Sequence, residues 1–275
     1  MKVLKQLLDF YINSSIHVAL AVYALSWITL KKLNINYDAT ILYFNFFATI
    51  TGYNFVKYFG IAKWHHRSLA NWLKVIQLFS FICFSLMLYF GLQLKQNTVL
   101  LILGFGVVTF LYAIPILPKK WYLDTQQNLR DISGLKVYVI ALVWSGVTVV
   151  LPLLDSNGVF NQDAIITIIQ NFILVIALML SFEIRDLNYD SLKLATIPQK
   201  IGVKNTKRLG YVLVLLFYFV EYFKDNIDAT GLLFQCVISI ILCVFIYFAN
   251  EDRNAYYTSF WVEALPIFWM LLMLL

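Results

Sequence analysis

Charge is what this 275-residue chain has least of. Asp, Glu, Lys and Arg make up 13% of it, against about 25% in soluble domains, while 61% is hydrophobic and the mean hydropathy is +0.76. That balance excludes an ordinary soluble domain and implies a polytopic membrane protein. Cysteine is nearly absent: Cys83, Cys236 and Cys243 lie inside apolar runs with no metal or redox spacing, and they read as small core residues. Repeats and low-complexity segments are missing, so no linker divides the chain. Spans broken by Gly or Pro do not recur in corresponding halves, and few ionisable residues fall mid-membrane, so a secondary transporter fits poorly. The formal net charge of +6 does not mark a nucleic-acid binder, because the cations follow membrane topology.

What the chain does contain is apolar runs of spanning length. A membrane helix needs about 20 mainly apolar residues. Nine candidates fall at 10–30, 39–62, 75–94, 98–117, 135–154, 164–183, 208–224, 229–249 and 255–275. The expected fold is an all-α polytopic membrane helical bundle of about nine transmembrane helices, one domain over 1–275. Lys2 and Lys5 with Ala19-Leu20-Ala21 superficially resemble a signal peptide, but the apolar run continues through Trp27 and Leu30 and reads as the first span. The ninth run contains Glu263 and Pro266, which predicts a kink.

Of the 21 Lys and Arg residues, only Lys31, Lys32, Lys95 and Lys224 fall opposite the N-terminus when the spans alternate. Positive residues accumulate in cytoplasmic loops. The expectation is therefore a cytoplasmic N-terminus, an outside C-terminus and an inner or plasma membrane location. The turn 154–158 lies outside, and Glu221, Lys224, Asp225 and Asp228 read as solvated charges of another outer loop.

The densest chemistry lies at 180–202, LSFEIRDLNYDSLKLATIPQKIG. Glu183, Asp186 and Asp190 stand three and then four residues apart. At about 100° per residue they share one helical face, spread along roughly 10 Å of axis, with Arg185 pointing the other way. Three acids at the mouth of the apolar run 171–180 are costly unless a cation neutralises them. Oxygen-only ligands suit Mg²⁺, which bridges carboxylates to phosphate. The bland reading is a charged loop between two spans.

This stretch resembles the second aspartate-rich motif of the UbiA superfamily of intramembrane prenyltransferases, in its acids, their spacing and the downstream Thr196-Ile197-Pro198-Gln199-Lys200-Ile201-Gly202. The resemblance implies a UbiA-like bundle in which Glu183, Asp186 and Asp190 hold Mg²⁺, with Asp186 and Asp190 catalytic. The first aspartate motif belongs at 51–68. Gly52, Tyr53 and Asn54 match it, but Phe55, Tyr58 and Ala62 stand where acids are expected. Lys57 shares a face with Asn54; it either opposes phosphate as a point charge or snorkels to headgroups. His65 and His66 read as part of an interfacial anchor. Tyr112, Pro115, Leu129 and Arg130 also resemble a family segment. Asn54, Lys57, Arg130 and Lys136 are the candidate diphosphate ligands. The polar cluster Asn13, Ser14, Ser15 and His17 reads as helix-to-helix hydrogen bonding.

Two functions follow. The resemblance implies transfer of an isoprenyl group from a prenyl diphosphate to an aromatic or lipid acceptor dissolved in the membrane, with Mg²⁺. The missing first motif supports the alternative, a non-catalytic UbiA-like protein that binds a lipid, an isoprenoid or a protein partner.

Overall fold

A computed structural model describes residues 2–64, 71–113, 134–188 and 195–275. Among them the chain is all helical, with no strand. The α-helices are α1 (Lys2–Asn13), α2 (Ile16–Lys32), α3 (Ala39–Trp64), α4 (Asn71–Gly91), α5 (Gln96–Ala113), α6 (Leu135–Ser145), α7 (Leu151–Asp155), α8 (Gln162–Asp186), α9 (Ile197–Phe219), α10 (Ala229–Phe248) and α11 (Leu265–Leu274). A π-helical turn, Gly146–Val150, joins α6 to α7, and another, Tyr257–Val262, precedes α11.

Five stretches are long and apolar enough to cross a membrane, and the bent pair α1–α2 makes a sixth candidate. The other expected spans, 39–62, 98–117 and 208–224, fall on α3, α5 and α9, with residues past 113 outside the described ones. The expected first span is not one rod. α1 and α2 meet at 55°, with Ser15 at φ 65° between them. The expected kink in the last span is present, as the π turn and the break before Pro266.

The core follows from which helices are apolar all round. α2 and α8 bury residues on every face. Leu25 of α2, Leu174 of α8, Ala141 of α6, Phe217 of α9, Leu242 of α10 and Trp269 of α11 belong to one packed cluster. α8 packs on α6 and α9, and α2 packs on α3 and α11. α4 is peripheral and turns Trp72, Leu78, Phe81 and Tyr89 outward. Close approach depends on small residues. A Cβ on Gly146 would meet the Phe105 ring at 2.1 Å.

The end of the bundle remote from the acids departs from expectation. Glu221 and Lys224 are buried, not solvated. Lys32 at the end of α2 donates to Glu221 Oε2 at 2.9 Å and to Gln235 Oε1 at 2.7 Å. Lys224 donates to Glu221 Oε1 at 3.2 Å and Gln170 to Oε2 at 2.6 Å. Lys32, Gln170 and Gln235 come from three different helices, α2, α8 and α10, so no local pattern announces them.

Candidate functional site

Helix α8 ends at Asp186, with the chain turning away at Leu187. Glu183, one turn earlier, is 1% exposed and accepts the Ile197 N–H on Oε2 at 3.1 Å. It thereby stabilises the N-terminus of α9, where backbone donors are otherwise unsatisfied. The Thr196 N–H is held by Gln199 Oε1 at 3.0 Å. Gly202 interrupts α9 at φ 78°, ψ 157°, a conformation open only to glycine. The motif-like segment 196–202 is thus a capped turn aimed at Glu183 and released by a glycine kink. A Cβ on Gly134, at φ 71° before α6, would lie 3.7 Å from Lys200 Nζ, so the start of α6 and Lys136 with it come against this turn.

Arg185 does not point away from the acids. Its Nε donates to Asp186 Oδ1 at 2.6 Å and its Nη2 to Oδ2 at 3.0 Å. Nη1 reaches Thr258 Oγ1 and, at 3.1 Å, Ser259 Oγ. The guanidinium so ties the end of α8 to the π turn.

The other wall is built at the α1–α2 break. Asn54 is 3% exposed and fully engaged: Oδ1 accepts from Ser15 Oγ at 2.8 Å, and Nδ2 donates to Ser14 O at 3.0 Å and Ser80 Oγ at 2.8 Å. Lys57 Nζ donates to Ser15 Oγ at 2.9 Å. The residue is exposed, but its ammonium is anchored to the α1–α2 break. Ser14 Oγ is buried without a hydrogen-bond partner among the described residues. His17 lies between Tyr11 Oη at 2.7 Å and the Phe260 carbonyl at 2.8 Å. That carbonyl only accepts, so Nε2 carries the proton. The polar cluster of the first span does serve helix-to-helix bonding. Two positions where acids are expected are occupied structurally: the Tyr58 hydroxyl donates to Asn13 O at 2.8 Å, and Phe55 stacks on Phe110.

Glu263 follows the π turn and lies near both Lys57 and Arg185, with no hydrogen bond or ion pair to either among the described residues. In the sequence it stood out only as a kink marker; an acid in an apolar run was the available signal. Two hydrogen-bonded groups therefore flank Glu263: Asn54, Ser15 and Lys57 on one side, and Arg185 with Asp186 on the other. Asp190 and Arg130 lie outside the described residues. Among the described residues no three His, Cys, Asp or Glu side chains gather as a metal site. Glu183 and Asp186 nonetheless fit Mg²⁺ in kind: hard oxygen donors one turn apart, with no competing thiol or imidazole in the network.

These helices form an all-α bundle of the membrane type with one polar end. The chain has the fold of solved UbiA homologues. It aligns with an apo UbiA homologue from Aeropyrum pernix K1 at a TM-score of 0.64 and 10% identity, over 94% of this chain and 99% of that one. A UbiA homologue from Archaeoglobus fulgidus bound to GPP and Mg²⁺ gives 0.60 and 12%, over 96% and 97%. A structure described for digeranylgeranylglyceryl phosphate synthase gives 0.58 and 15%, over 98% and 96%. No family model and no curated protein matches the sequence.

Proposed function

We propose that the protein is a divergent UbiA-superfamily prenyltransferase that takes a prenyl diphosphate, neutralises its leaving group at the polar end of the bundle and transfers the isoprenyl group to an aromatic or lipid acceptor in the membrane. The observation that carries this reading is the polar end itself: two cations, Lys57 bonded to Ser15 and Arg185 bonded to Asp186, gathered near Glu263 by helices distant in sequence. The C–O bond to the diphosphate breaks with its electron pair leaving on the diphosphate. The allylic cation that remains alkylates the acceptor, which gives up a proton. Catalysis of such a step rests on charges prearranged around the leaving oxygen.

Glu183, Asp186 and Asp190 would hold Mg²⁺, which supplies charge neutralisation to the diphosphate. Lys57 stands in the segment from which the family's metal-binding acids are missing and contributes its positive charge directly. Arg185 offers donors to phosphate once the substrate competes for Asp186. Glu263 places a negative charge near both cations before substrate arrives. Lys136 and Arg130 complete the basic side. In this reading the nine apolar runs all span, the N-terminus is cytoplasmic, and the acids open toward cytoplasmic prenyl diphosphate.

A second reading is favoured by one specific observation. Asn54, Phe55 and Tyr58 are committed to structural contacts. A protein that keeps the bundle and binds an isoprenoid or lipid without turnover would look the same there. Calorimetry of GPP binding to the purified protein separates the possibilities. Binding that requires both Mg²⁺ and Asp186 supports the enzyme and justifies an acceptor screen. Absence of binding in the native protein removes the enzyme reading.

A further inference from the structure

Helices α9 and α10 border two adjoining open cavities lined by none of the acids of the candidate site. The first, about 490 Å³, is lined by Lys204, Lys207, Arg208 and Arg253 with Asn250 and Tyr247. Among the described residues no carboxylate forms an ion pair with any of the four cations. Lys207 and Arg253 line the same cavity as like charges. Both are fixed by the C-terminal carbonyls of α10: Lys207 Nζ donates to Tyr247 O at 2.8 Å and Arg253 Nε to Phe248 O at 3.2 Å. Lysine has three donors and arginine five, so each keeps donors for the cavity.

The second cavity, about 560 Å³, is an apolar groove on the outer faces of the same helices. It shares Tyr211, Tyr247 and Phe248 with the first, so the two are continuous. Its lining runs along α10 from Tyr247 back to Cys236 and along α9 from Tyr211 to Phe219. At about 1.5 Å per residue the longer of these is roughly 16 Å, the hydrocarbon depth of one leaflet, half of about 30 Å.

A cationic cup on one leaflet-deep apolar groove matches a single molecule with an anionic head and an acyl tail. We propose that the α9–α10 groove is a binding site for an anionic phospholipid, its phosphate among Lys207, Arg253, Lys204 and Arg208 and one acyl chain against Leu215, Ile240 and Val244. Basic pockets between membrane helices on the positively charged side recognise such headgroups. The site is independent of the proposed transfer chemistry and uses none of its residues.

Native mass spectrometry of the full chain in detergent, offered equal dioleoylphosphatidylglycerol and dioleoylphosphatidylcholine, tests it. The native protein should retain phosphatidylglycerol in preference. Lys207→Gln with Arg253→Gln should lower that retention by about 10- to 30-fold, from roughly one kcal/mol per cation, and leave phosphatidylcholine unchanged. Ile240→Trp, at a 59% exposed position that lines the groove, should lower it without touching a charge. Melting curves without added lipid should match for all three proteins. Equal retention of both lipids by the native protein, or unaltered phosphatidylglycerol retention in either variant, overturns the proposal. Displacement of the lipid by an equal concentration of glycerol 3-phosphate would assign the cup to a soluble phosphate and overturn it too.

Discussion

Arg185 and Asp186 are chain neighbours that bond to each other through two parallel N–H···O contacts, of 2.6 and 3.0 Å, at the point where α8 ends. Consecutive residues on a continuing helix point about 100° apart. The pairing is possible because the helix stops there and the long guanidinium folds over its last turn. It keeps a carboxylate beside a cation at the mouth of an apolar helix, where an isolated charge is expensive.

Asp186→Asn tests what that carboxylate is for. The amide retains an acceptor for Arg185 but loses the charge that Mg²⁺ needs. Mg²⁺-dependent GPP binding should vanish, and prenyl transfer with it, while melting moves little because Arg185 keeps Thr258 and Ser259. A variant that binds GPP with native Mg²⁺ dependence would sink the assignment.

Lys57 and Glu263 should behave as a coupled pair. Removing a charged hydrogen-bond donor from phosphate is worth about 1.5–3 kcal/mol, so Lys57→Gln should weaken GPP binding by roughly 10- to 100-fold. Glu263→Gln removes the carboxylate charge nearby. If the two act through one another, the double variant will differ from the sum of the single effects by more than about 0.5 kcal/mol. Additive effects in titration calorimetry would separate Glu263 from the site.

The outer-end network gives a prediction with a built-in asymmetry. Lys32 and Lys224 share one carboxylate, Glu221, with all three side chains more than nine-tenths buried. Glu221→Gln strands two buried cations and should cost about 3–5 kcal/mol, the usual penalty for breaking a buried pair. Lys32→Met leaves a balanced Lys224–Glu221 pair and should cost much less. Unfolding in detergent followed by circular dichroism ranks the two. The reverse order would mean that Lys32 is held chiefly by Gln235 and by its position over the Trp269 ring.

Gly202 and Gly52 separate backbone strain from packing. Neither has an atom within 4 Å of an added Cβ, but only Gly202 has a positive φ. Gly202→Ala should destabilise by about 1–3 kcal/mol, whereas Gly52→Ala in α3 should be neutral or stabilising by up to about 1 kcal/mol. Equal melting temperatures for the two variants would show that the α9 kink is not strained.

The apolar runs told where helices lie because membrane helices answer to length and hydropathy, which are local. The acid spacing placed Glu183 and Asp186 at one helix end, because they need only one helix to be neighbours. The Ser14–Ser15 break was hidden because its reasons sit on other helices, in Asn54, Lys57 and Ser80. Glu221 and Lys224 looked like loop charges for the same reason: Lys32 of α2 and Gln170 of α8 reach Glu221, and Gln235 of α10 in turn holds Lys32. Arg185 was assigned to the wrong side because an angular projection assumes that the helix continues.

Orientation rests on a charge pattern and has a direct test at the loop after α7. Asn157 is exposed but sits at φ 58°, a left-handed conformation that suits asparagine better than cysteine. Val159, two residues on and 77% exposed, is the better probe position. Cys83 is buried and Cys236 and Cys243 are half-buried in apolar helices, so all three are replaced by alanine to remove background. Val159→Cys in intact cells should then react with a membrane-impermeant maleimide, as expected if Lys and Arg gather on the cytoplasmic side. Reaction only after the cells are permeabilised would invert the bundle. It would also turn Glu183 and Asp186 outward, away from cytoplasmic prenyl diphosphate, and end the case for transfer chemistry at that face.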